Sequence, residues 1–580
     1  MSLTVQQRQK GLTTIMSYAN HTAAQASAQV SSRVLLPGIF VALLCGVAFV
    51  HNYLTTYDLL WPAFDTQFRE EASAQTFLDE GYGPDSNYLH EDLWYNPLSG
   101  VVVAVVSYIS NIPAHTVVPQ IGTYINLLAP LCFFLMMVKL IDPWSAMAGT
   151  AGFLFLGSPR FADLEAATYS PWFLPNNFVQ ALFYLGVTAC SKALTTNRLV
   201  GGYYLIGTLL GLLFLGHPAP ALILGCMVVG VTTTGGWQSK QYSRAIGHLS
   251  AALGTALVVS APFLFYIGWH YKLRTLNSFP SLSPYTRLDL NESPQLIRDL
   301  ISVPLLVAVA GWVIHVKMTW REKPTLVLLL WPTSAAVFLL YNYGRAIAAK
   351  RGIFLGLLVP PFHFLFYLQA AIWVGFGTAV KYTSYTVCHR VRSWMRKDQG
   401  VIARMATYEM MIVVLTGLFI VMYYPSYLAR DQFGPRRETA LMLRENLSVN
   451  VWEWIRRNTK SSAVFLCTDD KCLYTITAAG RKVVAMNRYF SNPFVDWVER
   501  DHDRNQMFDA LKRRNRQAFD VLASKYEVSY IIWSDVVPQE MLSAAGMRLL
   551  PAVRTEDIVA SGFEPVFQRD GVSIFKVTAK

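Results

Sequence analysis

The chain predicts a polytopic α-helical membrane protein of about eleven spans, closed by a soluble, extracytoplasmic α/β domain. Three observations carry this. Long apolar runs recur from residue 34 to about 427, in a chain that is 53% hydrophobic and only 15% charged. Basic residues fall in short clusters between those runs. From about residue 430 the composition turns to that of a soluble domain. A mean hydropathy of +0.31 fits this class better than any soluble one. The net charge of +12 does not point to nucleic acid, because the cations sit where a positive-inside bias would put them.

Residues 1–33 are polar and end at Arg33, directly before an apolar run over 34–54. His51, Asn52 and Tyr53 supply no small-residue cleavage site, so the run reads as an uncleaved first span behind a cytoplasmic tail. Further spans are expected at 118–139, 143–158, 171–191, 200–217, 219–236, 246–269, 297–317, 325–343, 353–377 and 407–427. Residues 97–113, apolar but bounded by Pro97 and Pro113, read as a helix lying on the membrane surface. Starting inside, the inner connectors hold Lys139; Lys192 and Arg198; Lys240 and Arg244; Lys317, Arg321 and Lys323; and a dense group from Lys381 to Arg404. An odd number of spans then puts 430–580 outside. The membrane is expected to be a bacterial inner (plasma) membrane.

Within 430–580 a helix over 438–458 leads to strands at 463–467, 481–486 and 528–535, with a charged helix over 503–526. A hairpin follows with Asp570-Gly571 at its turn. Of the seven cysteines, Cys467 and Cys472 flank Thr-Asp-Asp-Lys. Outside the cytoplasm they could form a local disulfide; two free thiols are the alternative. The sequons at Asn291 and Asn446 lie on the predicted outer side.

The outer loop 55–117 opens with an acidic, aromatic stretch, 57–97, holding more carboxylates than a connector needs. Asp65, in FDTQFREE, stands close enough to the first span to meet a lipid-linked substrate, and a carboxylate there suits a general base. Glu70 and Glu71 compete for that role, and a salt bridge to Arg69 is the structural alternative. Asp163 and Glu165 form an acidic pair on the same predicted face. Such a pair binds a divalent cation such as Mg or Mn through oxygen, or positions an acceptor. Arg345, Lys350 and Arg351 stand on the outer side against the charge trend, where cations could clamp a departing phosphate. His217 is placed to contact phosphate or hydroxyls, or to be a hydrogen-bonded structural histidine. Arg69, Tyr95 and Tyr169 are candidate substrate-binding residues; Tyr169 and Trp172 could stack on a sugar, or serve as belt aromatics.

On these elements the chain resembles the GT-C superfamily of integral-membrane glycosyltransferases. The matching features are Asp65 soon after the first span, the surface helix at 97–113, Asp163/Glu165, and the outer domain. DTQFREE followed by LWYNPL is similar to the first-loop pattern of bacterial arabinofuranosyltransferases. The chain departs from it in Asn96 before the proline and in lacking a tandem Asp-Asp. The resemblance implies a polyprenyl-phosphate-linked sugar donor, inversion at the anomeric carbon, and a glycan, lipid or protein acceptor. A lipid-linked glycan transporter would instead keep ionisable groups mid-membrane and show repeated halves. A polymerase using pyrophosphate-linked donors and a non-catalytic cell-envelope assembly protein are the other readings.

Overall fold

The structure is a computed structural model, and it describes residues 34–157, 167–196, 200–277, 301–353, 355–356, 359–394, 407–446, 449–534 and 553–578. Among these, eight helices are long and apolar enough to cross a membrane. Helix α1 spans Val34–Thr56. It is followed by α2 (Asp65–Glu80), α3 (Leu98–Ser110), α4 (Ala114–Ile125), α5 (Leu128–Leu140) and α6 (Pro143–Phe155). Then come α7 (Pro175–Thr196), α8 (Val200–Gly216), α9 (Pro218–Ser239) and α10 (Tyr242–Leu264), which runs on through a π turn to His270. The bundle closes with α11 (Val303–Thr319), α12 (Lys323–Lys350), α13 (Pro361–Trp394) and α14 (Tyr408–Leu428).

Each apolar run expected to span falls on these helices, the run 118–139 dividing between α4 and α5. Helix α6, with 13 residues, is about 20 Å long at 1.5 Å per residue, short of a bilayer core of about 30 Å. It packs instead as a buried core element against α5, α13 and α14. Small residues set the closest crossings. A Cβ on Gly311 would lie 1.9 Å from the Gly375 carbonyl oxygen, and one on Gly377 2.1 Å from that of Ser145. Backbone contact of α13 with α11 and α6 therefore depends on glycine, the usual solution where lipid offers no hydrophobic drive.

The acidic stretch expected as a loop holds a 16-residue helix, Asp65–Glu80. Helix α2 has no glycine or proline between Asp65 and Gly81, and it is rich in Glu, Gln and Ala, all good helix formers. Its apolar residues do not recur at helical spacing, which hid it from the sequence. It packs on α3, α4 and the soluble domain, so that Gln67, Glu70 and Glu71 are fully buried. Helix α3 matches the surface helix; Tyr108 and Ile109 at its far end are exposed, as lipid-dipping residues would be.

The soluble domain begins with α15 (Gly434–Asn446) and α16 (Val449–Asn458), followed by β1 (Val464–Leu466) and β2 (Lys482–Val483). After them come α17 (Trp497–Lys512), α18 (Arg516–Lys525), β3 (Val528–Ser534), α19 (Thr555–Ala560), β4 (Pro565–Arg569) and β5 (Val572–Lys576). The two helices expected at 438–458 and 503–526 each fall as a pair. Arg514, with a left-handed φ of 57°, breaks the second. The sheet order is β2-β1-β3-β5-β4, parallel from β2 to β3 and antiparallel beyond. Asp570 and Gly571 both take positive φ, 56° and 70°, as a two-residue hairpin turn requires.

Candidate active site at the junction of the bundle and the soluble domain

Helix α2 positions the candidate chemistry. Asp65 is its first residue, where the helix N-terminus favours a carboxylate. Its Oδ1 accepts a hydrogen bond from the Tyr474 hydroxyl of the soluble domain. Burial pushes the Asp65 carboxyl above its usual range, while the Tyr474 hydrogen bond and the charge of Arg436 pull the other way. Arg69 follows one turn later, so the two side chains share a face of α2 about 6 Å apart.

The Arg69 guanidinium donates through Nη2 to the Tyr95 hydroxyl at 2.5 Å and to Glu70 Oε1 at 3.5 Å. It also lies 3.8 Å from the Tyr95 ring centroid. Its Nε is buried and has no partner among the described residues. Such an orphan donor marks a place where a ligand oxygen would be welcome. Ser99 of α3 donates to Glu70 Oε2, which closes the pair from behind. Burial raises the Glu70 carboxyl, and Arg69, the first opposing influence, counters it.

Two histidines from the bundle face this group. His217 ends α8 and caps α9, its Nδ1 accepting from the Ala219 amide at 3.2 Å. Its ring lies 4.2 Å from that of His363 in the first turn of α13. The Nδ1 of His363 pairs with the side-chain amide of Asn176 at 2.6 Å. With Nδ1 taken by the Ala219 amide, the proton of a neutral His217 ring lies on Nε2. A cap and a phosphate ligand are compatible roles, because Nε2 remains. Above Arg69, the ring of Phe490 lies 5.8 Å away, on a soluble-domain turn that also carries Tyr489.

Other expected residues lie elsewhere. Tyr169 is a core residue: its hydroxyl donates to the Thr123 carbonyl of α4, and it has no free face for a sugar. Trp172 likewise is fully buried, its indole N–H donating to the Gln432 carbonyl at 2.8 Å. These aromatics hold α1, α4 and the 430s together, because burial in a bundle requires each polar edge to find a backbone acceptor. Asp163 and Glu165 lie outside the described residues, as does Asn291; Asn446 is the last residue of α15. Both ends of the 163/165 segment meet Arg430, which donates to the Gly157 carbonyl at 3.3 Å and to the Thr168 hydroxyl at 3.4 Å. Among the described residues no group of three His, Cys, Asp or Glu could hold a metal ion.

Arg345, Lys350 and Arg351 occupy the C-terminal end of α12. Phe338 stacks on Phe364 with centroids 4.9 Å apart, so α12 passes the start of α13 at Phe338 and its cations lie further along the helix. Among the described residues the three cations make no ion pair with Asp65 or Glu70. Arg69 is instead the guanidinium that the structure places among the acids and histidines. Its neighbours His363, Asn176, Ser99 and Tyr474 are isolated polar residues in apolar or unrelated segments. No local pattern singles them out. Cys467 and Cys472 are joined in a disulfide, with Cα atoms 5.6 Å apart.

Among solved structures the chain is similar to the apo oligosaccharyltransferase of Archaeoglobus fulgidus, at 11% identity and a TM-score of 0.50, over 86% of this chain and 69% of that one. It is also similar to ArnT from Cupriavidus metallidurans bound to undecaprenyl phosphate, at 12% identity and a TM-score of 0.51, over 93% of this chain and 97% of that one. No protein-family model and no curated protein sequence matches. Identities this low carry the fold and leave the chemistry to the residues. The chain shares the fold of these two structures, a polytopic helical bundle that carries a soluble domain.

Proposed function

We propose that the protein is an inverting glycosyltransferase, moving a sugar from a polyprenyl-phosphate donor to a hydroxyl of a glycan, lipid or protein acceptor on the outer face of the membrane. Arabinofuranose is the first sugar to try, from the first-loop pattern. Ionised Asp65 takes the proton of the acceptor hydroxyl as that oxygen attacks the anomeric carbon. The bond from that carbon to the phosphate oxygen breaks, and negative charge grows on the departing phosphate. Arg69, with its orphan Nε, and neutral His217 stabilise it as hydrogen-bond donors, with Arg345, Lys350 and Arg351 at the same end of the bundle as further cations. Glu70 holds Arg69 in place. Asp163 and Glu165 would position the acceptor, or hold Mg or Mn for the same phosphate; transfer measured with and without a chelator separates the two.

The observation that carries this reading is the placement of Asp65 and Arg69 one turn apart on α2, both half-buried, where Asp65 bonds Tyr474 of the soluble domain and Arg69 bonds Tyr95. The likeness to a structure that binds undecaprenyl phosphate supports the donor class. The disulfide supports an oxidising, extracytoplasmic side for the soluble domain. The test is transfer of labelled sugar from polyprenyl phosphate by the purified chain. Asp65→Asn is expected to lower turnover by about 10²–10⁴-fold. Near-normal turnover in that variant would remove Asp65 from the mechanism. Flux of the lipid-linked sugar across vesicles with no bond made would favour a transporter.

A further inference from the structure

The soluble domain reaches the candidate base through the Tyr474 hydroxyl, and the charge of Arg436 also acts on it. Directly after Cys472, the chain makes a π turn, Cys472–Thr477, in which every residue is buried. The disulfide to Cys467 ties the start of this turn to the end of β1. Tyr474 sits inside it, its ring edge-on to Phe68 of α2 with centroids 4.9 Å apart. Phe68 lies one turn beyond Asp65 and is fully buried. The phenol is thus fixed from both sides: by the braced turn behind it and by α2 in front. Its hydroxyl ends on Asp65 Oδ1.

The charged and titratable groups that bear on this pair come from three elements. Arg436 of α15 acts on Asp65, Arg69 stands one turn along α2, and Asp470, between the two cysteines, acts on Tyr474. The phenol hydrogen-bonds the carboxylate directly. Burial raises Tyr474 far above the usual phenol range, so it stays protonated and acts as a donor. A donor on Oδ1 leaves Oδ2 to receive a proton.

Resting on the transfer reaction proposed above, we infer that Tyr474 is a positioning residue through which the soluble domain orients Asp65 and holds it ionised for the acceptor. In the step itself the acceptor O–H proton passes to Asp65 Oδ2, the acceptor oxygen bonds to the anomeric carbon, and Tyr474 keeps its own proton. The soluble domain is then part of the site and couples its folding to catalytic competence.

The test is direct. Dicyclohexylcarbodiimide labels buried carboxyls in their protonated form, and peptide mass spectrometry reads each site against pH. In Tyr474→Phe, loss of a hydrogen bond to the charged form is expected to move the Asp65 labelling midpoint upward by about one pH unit. Asp85, which burial pushes up to about 6 and which Tyr474 does not touch, should keep its midpoint and serves as the internal control. The double variant Cys467→Ser/Cys472→Ser, which retains the phenol but frees the turn, is expected to move the Asp65 midpoint the same way. Transfer from undecaprenyl-phosphate-linked arabinose by Tyr474→Phe should lose kcat at low pH, regain it on raising the pH, and keep its KM. An unmoved Asp65 midpoint in both variants overturns the inference. Normal transfer by Asp65→Asn would instead remove Asp65 as the base and leave the labelling result standing, whereas no transfer by the native chain would defeat the transferase reading.

Discussion

At the scale of single residues, the pairing partners matter more than the charges themselves. Asp65 was legible in the sequence because a lone acid soon after a span is a local signal. Its partner Tyr474 lies 409 positions away, and nothing local announces it. The same holds for Arg69: the Glu70 beside it is visible, but the histidines from two other helices are not. Glu71 shows what burial does when no partner arrives. Both its carboxylate oxygens are buried without a hydrogen bond among the described residues, and burial raises its carboxyl well above the usual value. The folded protein therefore holds the protonated form, while the unfolded chain releases its proton near the ordinary value of 4.5. Stability is lost as pH rises above that value, until the folded group itself ionises. Glu71→Gln removes this pH-dependent loss. Thermal unfolding should show the variant close to the native chain at about pH 4 and several degrees more stable near pH 8.

At the scale of elements, the hairpin and the helix α2 make opposite cases. The β4–β5 turn was readable because Asp-Gly forces positive φ whatever surrounds it. Helix α2 was not, because most of its buried residues are polar, Gln67, Glu70, Glu71, Ser73, Gln75 and Thr76, and so invisible to hydrophobic periodicity. What locks α2 is a cluster at its far end. Asp79 receives Arg456 and Arg481, and Arg481 also donates to the Thr459 carbonyl at 2.8 Å and the Arg456 carbonyl at 3.2 Å, closing the C-terminus of α16. The Arg481 side chain is only 4% exposed. Arg481→Ala leaves those carbonyls and Asp79 short of a buried donor, and should destabilise the soluble domain by about 3 kcal/mol. A lowered thermal midpoint with a parallel loss of transfer is the expected outcome, and rescue by Arg481→Lys should be partial, since lysine lacks the fork that reaches three acceptors.

At the scale of the molecule, the bundle and the soluble domain meet along α2 and the segment after it. Lys482 binds Glu80 at 3.0 Å and the Asp85 carbonyl at 2.7 Å, the Tyr88 hydroxyl meets Ser491 at 2.7 Å, and Tyr271 after α10 hydrogen-bonds both Asp92 and Asn492. An interface of this kind fixes the site only if both parts lie on one side of the membrane. Alkaline phosphatase, active only outside the cytoplasm, should therefore give signal when fused after α14 or within the soluble domain, and none when fused after α13. The reverse pattern would turn the site toward the cytoplasm. Composition and charge order were enough to determine a polytopic helical chain with a terminal α/β domain, because lipid demands long apolar runs and the cations between them record each crossing. Hairpin chemistry and the acid after the first span were likewise written locally. Which acid is paired, which guanidinium keeps a free donor, and which aromatics are core were decided only by tertiary structure. Those properties depend on partners brought together from distant segments, and on burial, which neither composition nor spacing encodes.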